Sequence, residues 1–245
     1  MPENITTTNA GRRLYVILSA MKANKAHMQV GDLTRLVLNL PQNDLAGLYS
    51  QYASLLSLIA DVENRLRSLD DPNREQYLLC FEPIKRAFHS VSLQHGCEQI
   101  TNAISTSDLA LLNLASQRLD LVQREILLPP SEINALQSEV QTLFQQVSAS
   151  DLAPELRIII LDLLEAIRRT LNEYQIRGAE GLKRVLAECF GRMSLDKEIV
   201  VQHNKRPELK SFLDLLSKLN GLFTAATNAD KIGKFLGDSF SKLLQ

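Results

Sequence analysis

Apolar side chains recur at alternating steps of three and four residues between Pro41 and Leu69. The positions are Leu45, Leu48, Tyr52, Leu55, Ile59, Val62, Leu66 and Leu69. This spacing is the a/d pattern of packed helices, and it predicts one long helix. Asn43 or Asp44 can cap the start of this helix, and Asp70-Asp71-Pro72 ends it. The spacing alone does not choose between a seam used inside the chain and a seam used in a dimer.

The same spacing continues along most of the chain and predicts further amphipathic helices. They cover residues 73–91, 108–126, 131–147 and 154–174, and a shorter helix lies between Gly181 and Gly191. Pro83 is expected to kink or split the first of these helices near Glu82, because proline removes a backbone donor. Two short helices are expected at 11–23 and 32–40. Residues 198–202 are interpreted as linker, since a lone strand would have no partner.

Two amphipathic stripes at the C-terminal end predict a helical hairpin over residues 207–245. The first stripe is Leu209, Phe212, Leu213, Leu216, Leu219 and Phe223, and the second is Ile232, Phe235, Leu236, Phe240, Leu243 and Leu244. The stretch Ile232–Leu236 (IGKFL) resembles the opening of magainin-type membrane-active peptides, which implies contact with a bilayer surface. The alternative is that the stripes pack onto the protein's own helices.

These patterns predict an all-α fold: an elongated bundle of about ten helices. The expected organisation is short N-terminal helices over 1–39, a main bundle over 40–192, a linker over 193–206 and the hairpin over 207–245. Composition agrees with a packed helical protein, because 45% of the 245 residues are hydrophobic and only 10 are glycine and 8 proline. A disordered chain has fewer apolar residues.

The numbers of charged residues and cysteines bear on whether the protein binds nucleic acid and on the compartment in which it works. The chain has 27 basic and 28 acidic residues, whereas nucleic-acid binders are usually basic, so the total charge does not favour a nucleic-acid partner. Three cysteines without CxxC spacing favour reduced thiols in the cytoplasm over a disulfide framework. No apolar run approaches the roughly 20 residues of a membrane-spanning helix.

The sequence contains no motif that indicates catalysis. No HExxH, phosphate-binding GxxxxGK[ST], GxGxxG or GxSxG pattern is present. His89, His95 and Cys97 are the one local histidine and cysteine group, and their spacing does not place all three on one helical face. We therefore expect no enzyme activity, no metal and no cofactor, although folding could still assemble a catalytic pair.

Basic residues concentrate between positions 157 and 192. A candidate basic patch consists of Arg168, Arg169, Arg177, Lys183 and Arg184. Glutamates are interleaved with them at helical spacing, which is typical of a solvated face with intrahelical ion pairs. A nucleic-acid or acidic-partner surface is the alternative interpretation.

The favoured hypothesis is a non-enzymatic cytoplasmic protein, of bacterial type, that acts by helix-helix recognition of a protein partner or a second copy. The candidate contacts with a partner or a membrane are Phe212, Leu216, Phe223, Ile232, Phe235, Leu236 and Phe240. One alternative is an effector whose hairpin contacts membranes after the bundle stops shielding it. A nucleic-acid accessory protein that uses the basic patch is the other alternative.

Overall fold

The computed structural model describes residues 7–24 and 27–224, and this part of the chain is almost entirely α-helical. Its helices are α1 (Ala10–Ala23), α2 (Val30–Leu38), α3 (Leu45–Arg67), α4 (Arg74–Leu78), α5 (Phe81–His89), α6 (Glu98–Ala103), α7 (Thr106–Leu119), α8 (Pro130–Ser148), α9 (Pro154–Asn172), α10 (Tyr174–Leu195), α11 (Lys197–Gln202) and α12 (Pro207–Thr224). Two strands of two residues, β1 (Thr7–Thr8) and β2 (Glu125–Ile126), pair with each other. The predicted all-α fold is confirmed.

The described chain divides into two compact units. The N-terminal unit comprises residues 7–125 and 175–178, and the C-terminal unit comprises residues 126–174 and 179–224. These limits differ from the expected organisation along the chain. The reason is that a compact unit is defined by packing between distant residues, which local periodicity does not carry.

The N-terminal unit packs helices α1 to α7 around one apolar core. Side-chain oxygens accept hydrogen bonds from the unpaired backbone N–H groups at several helix starts. The Asn9 side chain accepts from the N–H of Arg12 at 2.8 Å, and Asp44 accepts from Gly47 at 2.7 Å. Ser105 and Asp108 form a reciprocal capping box at the start of α7. These caps fix the residues at which α1, α3 and α7 begin.

The C-terminal unit packs α8 to α12 around a second apolar core. Helices α8 and α9 each begin with a proline, Pro130 and Pro154, at a position where the missing N–H leaves no bond unmade. Lys218 of α12 donates to Glu139 of α8 at 2.7 Å, which ties the two helices at their solvent edge.

Several predicted helices have other limits in the structure: the one predicted between Gly181 and Gly191, for example, is part of α10, which runs from Tyr174 to Leu195. The predicted helix 73–91 is split at Leu79–Cys80 rather than near Glu82, and Pro83 lies in the first turn of α5, where proline is tolerated. In place of the predicted helix 108–126, α7 ends at Leu119, and the chain then passes through a turn into β2. In both of these cases, apolar residues continue at helical spacing past the point where the helix ends.

Residues 198–202, interpreted as linker, form helix α11 instead. Val200 is only 1% exposed and packs in the C-terminal core, so tertiary burial stabilises a short helix of β-branched residues. Residues 225–245, which hold the second stripe of the predicted hairpin, lie outside the described residues.

Candidate functional site

The candidate contacts on α12 lie in the core of the C-terminal unit. Phe212 and Leu216 are fully buried and Phe223 is 3% exposed. In the described structure these three side chains therefore pack onto the protein's own helices, and their contact with a partner or a membrane stays a prediction. Ile232, Phe235, Leu236 and Phe240 lie outside the described residues, and their role stays a prediction.

The five residues of the candidate basic patch are divided between the two units. Arg177 belongs to the N-terminal unit, and its guanidinium donates to Ser54 at 3.3 Å. The other four belong to the C-terminal unit. Arg168 pairs with Glu165 at 2.7 Å and Arg169 pairs with Glu173 at 3.3 Å, while Lys183 lies 6.0 Å from the ring centre of Phe223 and Arg184 is exposed. The Arg168–Glu165 pair is half-exposed, as on a solvated helix face, whereas the Glu173 partner of Arg169 is only 2% exposed.

The heptad seam of α3 is used inside the N-terminal unit. Its positions from Leu48 to Leu66 are buried, apart from Tyr52, which is half-buried. The start of the helix is different, because Leu45 is 58% exposed and Tyr49, one turn later, is 57% exposed. Residues four apart lie on one helix face, so these two side chains present one apolar surface to solvent.

A groove of about 380 Å³ adjoins this surface, and we call it the Tyr49 groove. It is lined by Tyr49, Tyr52, Ser92, Leu93 and Gln94. Tyr52 forms its inner wall, with its ring 6.1 Å from that of Phe88 and its hydroxyl donating to the Phe88 carbonyl at 3.5 Å. Burial raises the pKa of Tyr52, so this hydroxyl stays protonated and remains a donor.

The loop that forms the other wall is held by backbone hydrogen bonds to the start of α2. The N–H of Gly31 donates to the Leu93 carbonyl at 2.8 Å, and the N–H of Val30 donates to the His95 carbonyl at 2.9 Å. These N–H groups belong to the first turn of α2, where helices leave donors unpaired. The N–H of Cys97 also donates to the Met28 carbonyl at 2.9 Å. The groove is therefore preformed.

Gly31 lies at a close approach between α2 and this loop. A Cβ at position 31 would lie 3.1 Å from the Leu93 carbonyl oxygen and 3.4 Å from a methyl group of Leu48. The close approach of α2 to the loop thus depends on the absence of a side chain.

Cysteines and clusters of histidine or acidic side chains are the groups that could act as nucleophiles or hold a metal ion. The cysteines Cys80, Cys97 and Cys189 are free and buried, and desolvation raises the pKa of Cys80 and of Cys189 to about 12. Such thiols are not nucleophiles at neutral pH. Residues 7–24 and 27–224 contain no group of three or more histidine, cysteine or acidic side chains arranged to hold a metal ion.

The same ranges hold no helix whose length and apolar content would let it cross a bilayer. Comparison with protein-family models, with curated proteins and with solved structures found no match to this chain.

Sequence reasoning identified only part of the groove. Leu45 and Tyr52 belong to the predicted seam, but Tyr49 lies off it, and the loop residues 92–94 carry no periodic pattern. The chain around residues 28–31 pairs with the chain around residues 93–97. The glycines Gly31 and Gly96 in these two segments were the only sequence signal that we find for this pairing.

Proposed function

We propose that this chain is a non-enzymatic interaction protein and that it binds an amphipathic helix of a partner protein in the Tyr49 groove. The observation that carries the proposal is the exposed apolar surface of Leu45 and Tyr49 at the start of α3, beside the preformed Tyr49 groove. Beyond this surface, Leu48 is buried, and the seam residues from Tyr52 to Leu66 pack in or against the core of the N-terminal unit. A partner helix would continue that packing by one or two turns.

The exposed area favours a single short helix over a second copy of the chain. Leu45 and Tyr49 are each little more than half exposed. Since even a whole aromatic side chain buries only about 150–250 Å², the pair offers less than about 300 Å². A stable dimer needs about 800 Å² on each partner. A helix that inserts one or two apolar side chains fits the smaller area.

The lining of the groove carries no charged side chain: it consists of tyrosine, serine, leucine and glutamine. Attraction between exposed charges is screened by salt, whereas apolar burial is not. Binding at this groove is therefore expected to change little with ionic strength, which separates it from recognition of a nucleic acid.

Selection of peptides tests the proposal directly. A displayed library of amphipathic helical peptides is selected on the immobilised full-length chain, and the selected peptides are measured by fluorescence anisotropy against variants. We expect Tyr49→Asp to weaken peptide binding at least tenfold, because the substitution places a carboxylate in the Tyr49 groove, where an apolar side chain of the peptide would be buried against it. The matched control is Val16→Asp on α1, which changes a valine that is 53% exposed and outside the groove.

The proposal fails if no peptide is selected, or if Tyr49→Asp and Val16→Asp bind the selected peptides equally well. Circular dichroism of both variants establishes that the helices are intact. Light scattering tests whether a second copy of the chain binds at this surface instead. A wild-type dimer that Tyr49→Asp dissociates would assign the surface to a second copy and overturn the partner-helix proposal.

We also propose a cytoplasmic location for the protein. All three cysteines are free thiols in buried positions, an arrangement that suits a reducing compartment. Fractionation of the source cells with an antibody against the chain tests this, and recovery in an oxidising compartment would contradict it.

A further inference from the structure

The loop that forms one wall of the Tyr49 groove is a turn that His95 closes with two hydrogen bonds. The backbone N–H of His95 donates to the Ser92 carbonyl at 3.1 Å. The Nδ1 atom of the His95 imidazole lies 3.0 Å from the backbone nitrogen of Ser92 and accepts a hydrogen bond from that N–H. The three groove residues of this loop, Ser92, Leu93 and Gln94, therefore lie within a turn that His95 holds closed.

The hydrogen bond from Ser92 requires the neutral form of the His95 imidazole. A ring nitrogen accepts a hydrogen bond only while it carries no proton, and both ring nitrogens are donors in the protonated ring. Protonation of Nδ1 therefore replaces an attractive contact with two N–H groups that point at each other. Histidine is the side chain whose charge ordinarily changes between about pH 5 and pH 8. Because His95 is exposed, protons reach it without unfolding.

The other three histidines make the opposite kind of hydrogen bond, in which Nδ1 faces an oxygen. These contacts join His27 to a carboxylate oxygen of Glu98 at 2.6 Å, His89 to the Lys85 carbonyl at 2.7 Å and His203 to the Ile199 carbonyl at 2.9 Å. An oxygen acceptor needs a donating N–H, so protonation preserves these bonds. Among the four histidines, all of which the structure describes, His95 is thus the one whose ring-nitrogen bond acid breaks.

Charged and titratable side chains also lie on the helices around this loop. They are Asp32, paired with Arg35 on α2, Tyr49 and Tyr52 on α3, and Glu98 of α6, paired with His27. Hydrogen bonds from its own backbone N–H and from His27 lower the pKa of Glu98, and burial raises the pKa of Tyr52. Glu98 and Tyr52 therefore keep their charge state between about pH 5 and pH 8. His27 is the other histidine beside this loop, which makes it the control for His95.

We infer that His95 makes the Tyr49 groove sensitive to pH: the neutral imidazole holds Ser92 in the closed turn, and the protonated imidazole releases it and weakens binding of the partner helix. The bonds that Val30 and Gly31 donate to the His95 and Leu93 carbonyls involve no ring nitrogen, so the change stays local. The effect on binding rests on the proposed function, whereas the release of Ser92 does not.

Peptide binding at two pH values tests the effect on the groove. Fluorescence anisotropy is measured on the full-length chain with a selected peptide that contains no histidine. Between about pH 8 and pH 5.5 we expect binding to the wild type to weaken about threefold to tenfold, as the loss of one hydrogen bond of ordinary strength predicts. His95→Asn places an amide oxygen near the position of Nδ1, an acceptor that does not titrate, and is expected to abolish this change. The matched control His27→Asn is expected to keep it.

Nuclear magnetic resonance of the full-length chain without peptide tests the release of Ser92 by itself. The Ser92 amide proton is expected to shift along the titration of the His95 ring in the wild type and in His27→Asn, and to stay constant in His95→Asn. A Ser92 amide that ignores the His95 titration overturns the inference, as does peptide binding that weakens equally in the wild type and in His95→Asn. Normal titration of Ser92 in a chain that binds no peptide supports the release and overturns the proposed function alone.

Discussion

Gly178 lies against the guanidinium of Arg13 with no room for a side chain between them. We expect Gly178→Ala to lower the free energy of unfolding by about 2 kcal/mol or more, because it combines an unfavourable backbone conformation with a clash. Urea unfolding followed by circular dichroism measures this, a suitable probe because the chain contains no tryptophan. Gly191→Ala is the control: a Cβ there meets nothing within 4 Å, so we expect stabilisation by about 0.5–1 kcal/mol.

The buried pair of Arg13 and Glu125 predicts an asymmetric response to mutation. Glu125→Ala leaves the Arg13 charge buried without its carboxylate, and we expect a loss of about 3–5 kcal/mol in the free energy of unfolding. The control is Glu82→Ala, which breaks an exposed pair with Arg86 and should cost less than about 1 kcal/mol. Equal losses in the two variants would contradict the importance of the buried pair.

Glu63 makes stability depend on acid pH. Burial raises the pKa of Glu63, but hydrogen bonds from Arg67 at 2.6 Å and Lys85 at 3.1 Å outweigh burial and lower the pKa below its ordinary value. The folded pKa is then below the unfolded one, which is about 4.3. The stabilisation is therefore present above about pH 4.3 and is lost as the pH falls through the folded pKa.

We expect the wild type to lose more stability than Glu63→Gln on acidification below about pH 4.3. Urea unfolding of both proteins across this range measures the difference. Parallel curves would show that Glu63 contributes nothing to acid sensitivity.

The three cysteines are expected to resist modification in the native state. At pH 8, a thiol of pKa about 12 is thiolate in only about one molecule in ten thousand. An aromatic disulfide reagent should therefore titrate three thiols in denaturant and react only slowly with Cys80 and Cys189 without it. Rapid reaction of the native protein with either residue would contradict their burial.

The helices were the most predictable part of the fold. The α3 seam and the apolar face of α12 repeat every three or four residues, and this period follows from helix geometry alone. The helix limits were less predictable, as the break before α5 and the early end of α7 show, because apolar residues also continue through turns.

The candidate site was predicted only in part, since the seam marks Leu45 but nothing in the local pattern marks Leu93. The groove exists because backbone donors at Val30 and Gly31 meet carbonyls more than sixty positions along the chain, at His95 and Leu93. Hydrogen bonds of this kind leave no periodic signal.

By itself the sequence determined that this protein is helical and which face of each helix is apolar, because both depend on neighbours within one or two turns. Only the tertiary structure decided which faces are covered. Phe212 became a core residue while Tyr49 stayed exposed, and Arg13 found the Ile176 carbonyl 163 positions away. Burial and pairing at such separations are set by how the helices pack together, which no local pattern encodes.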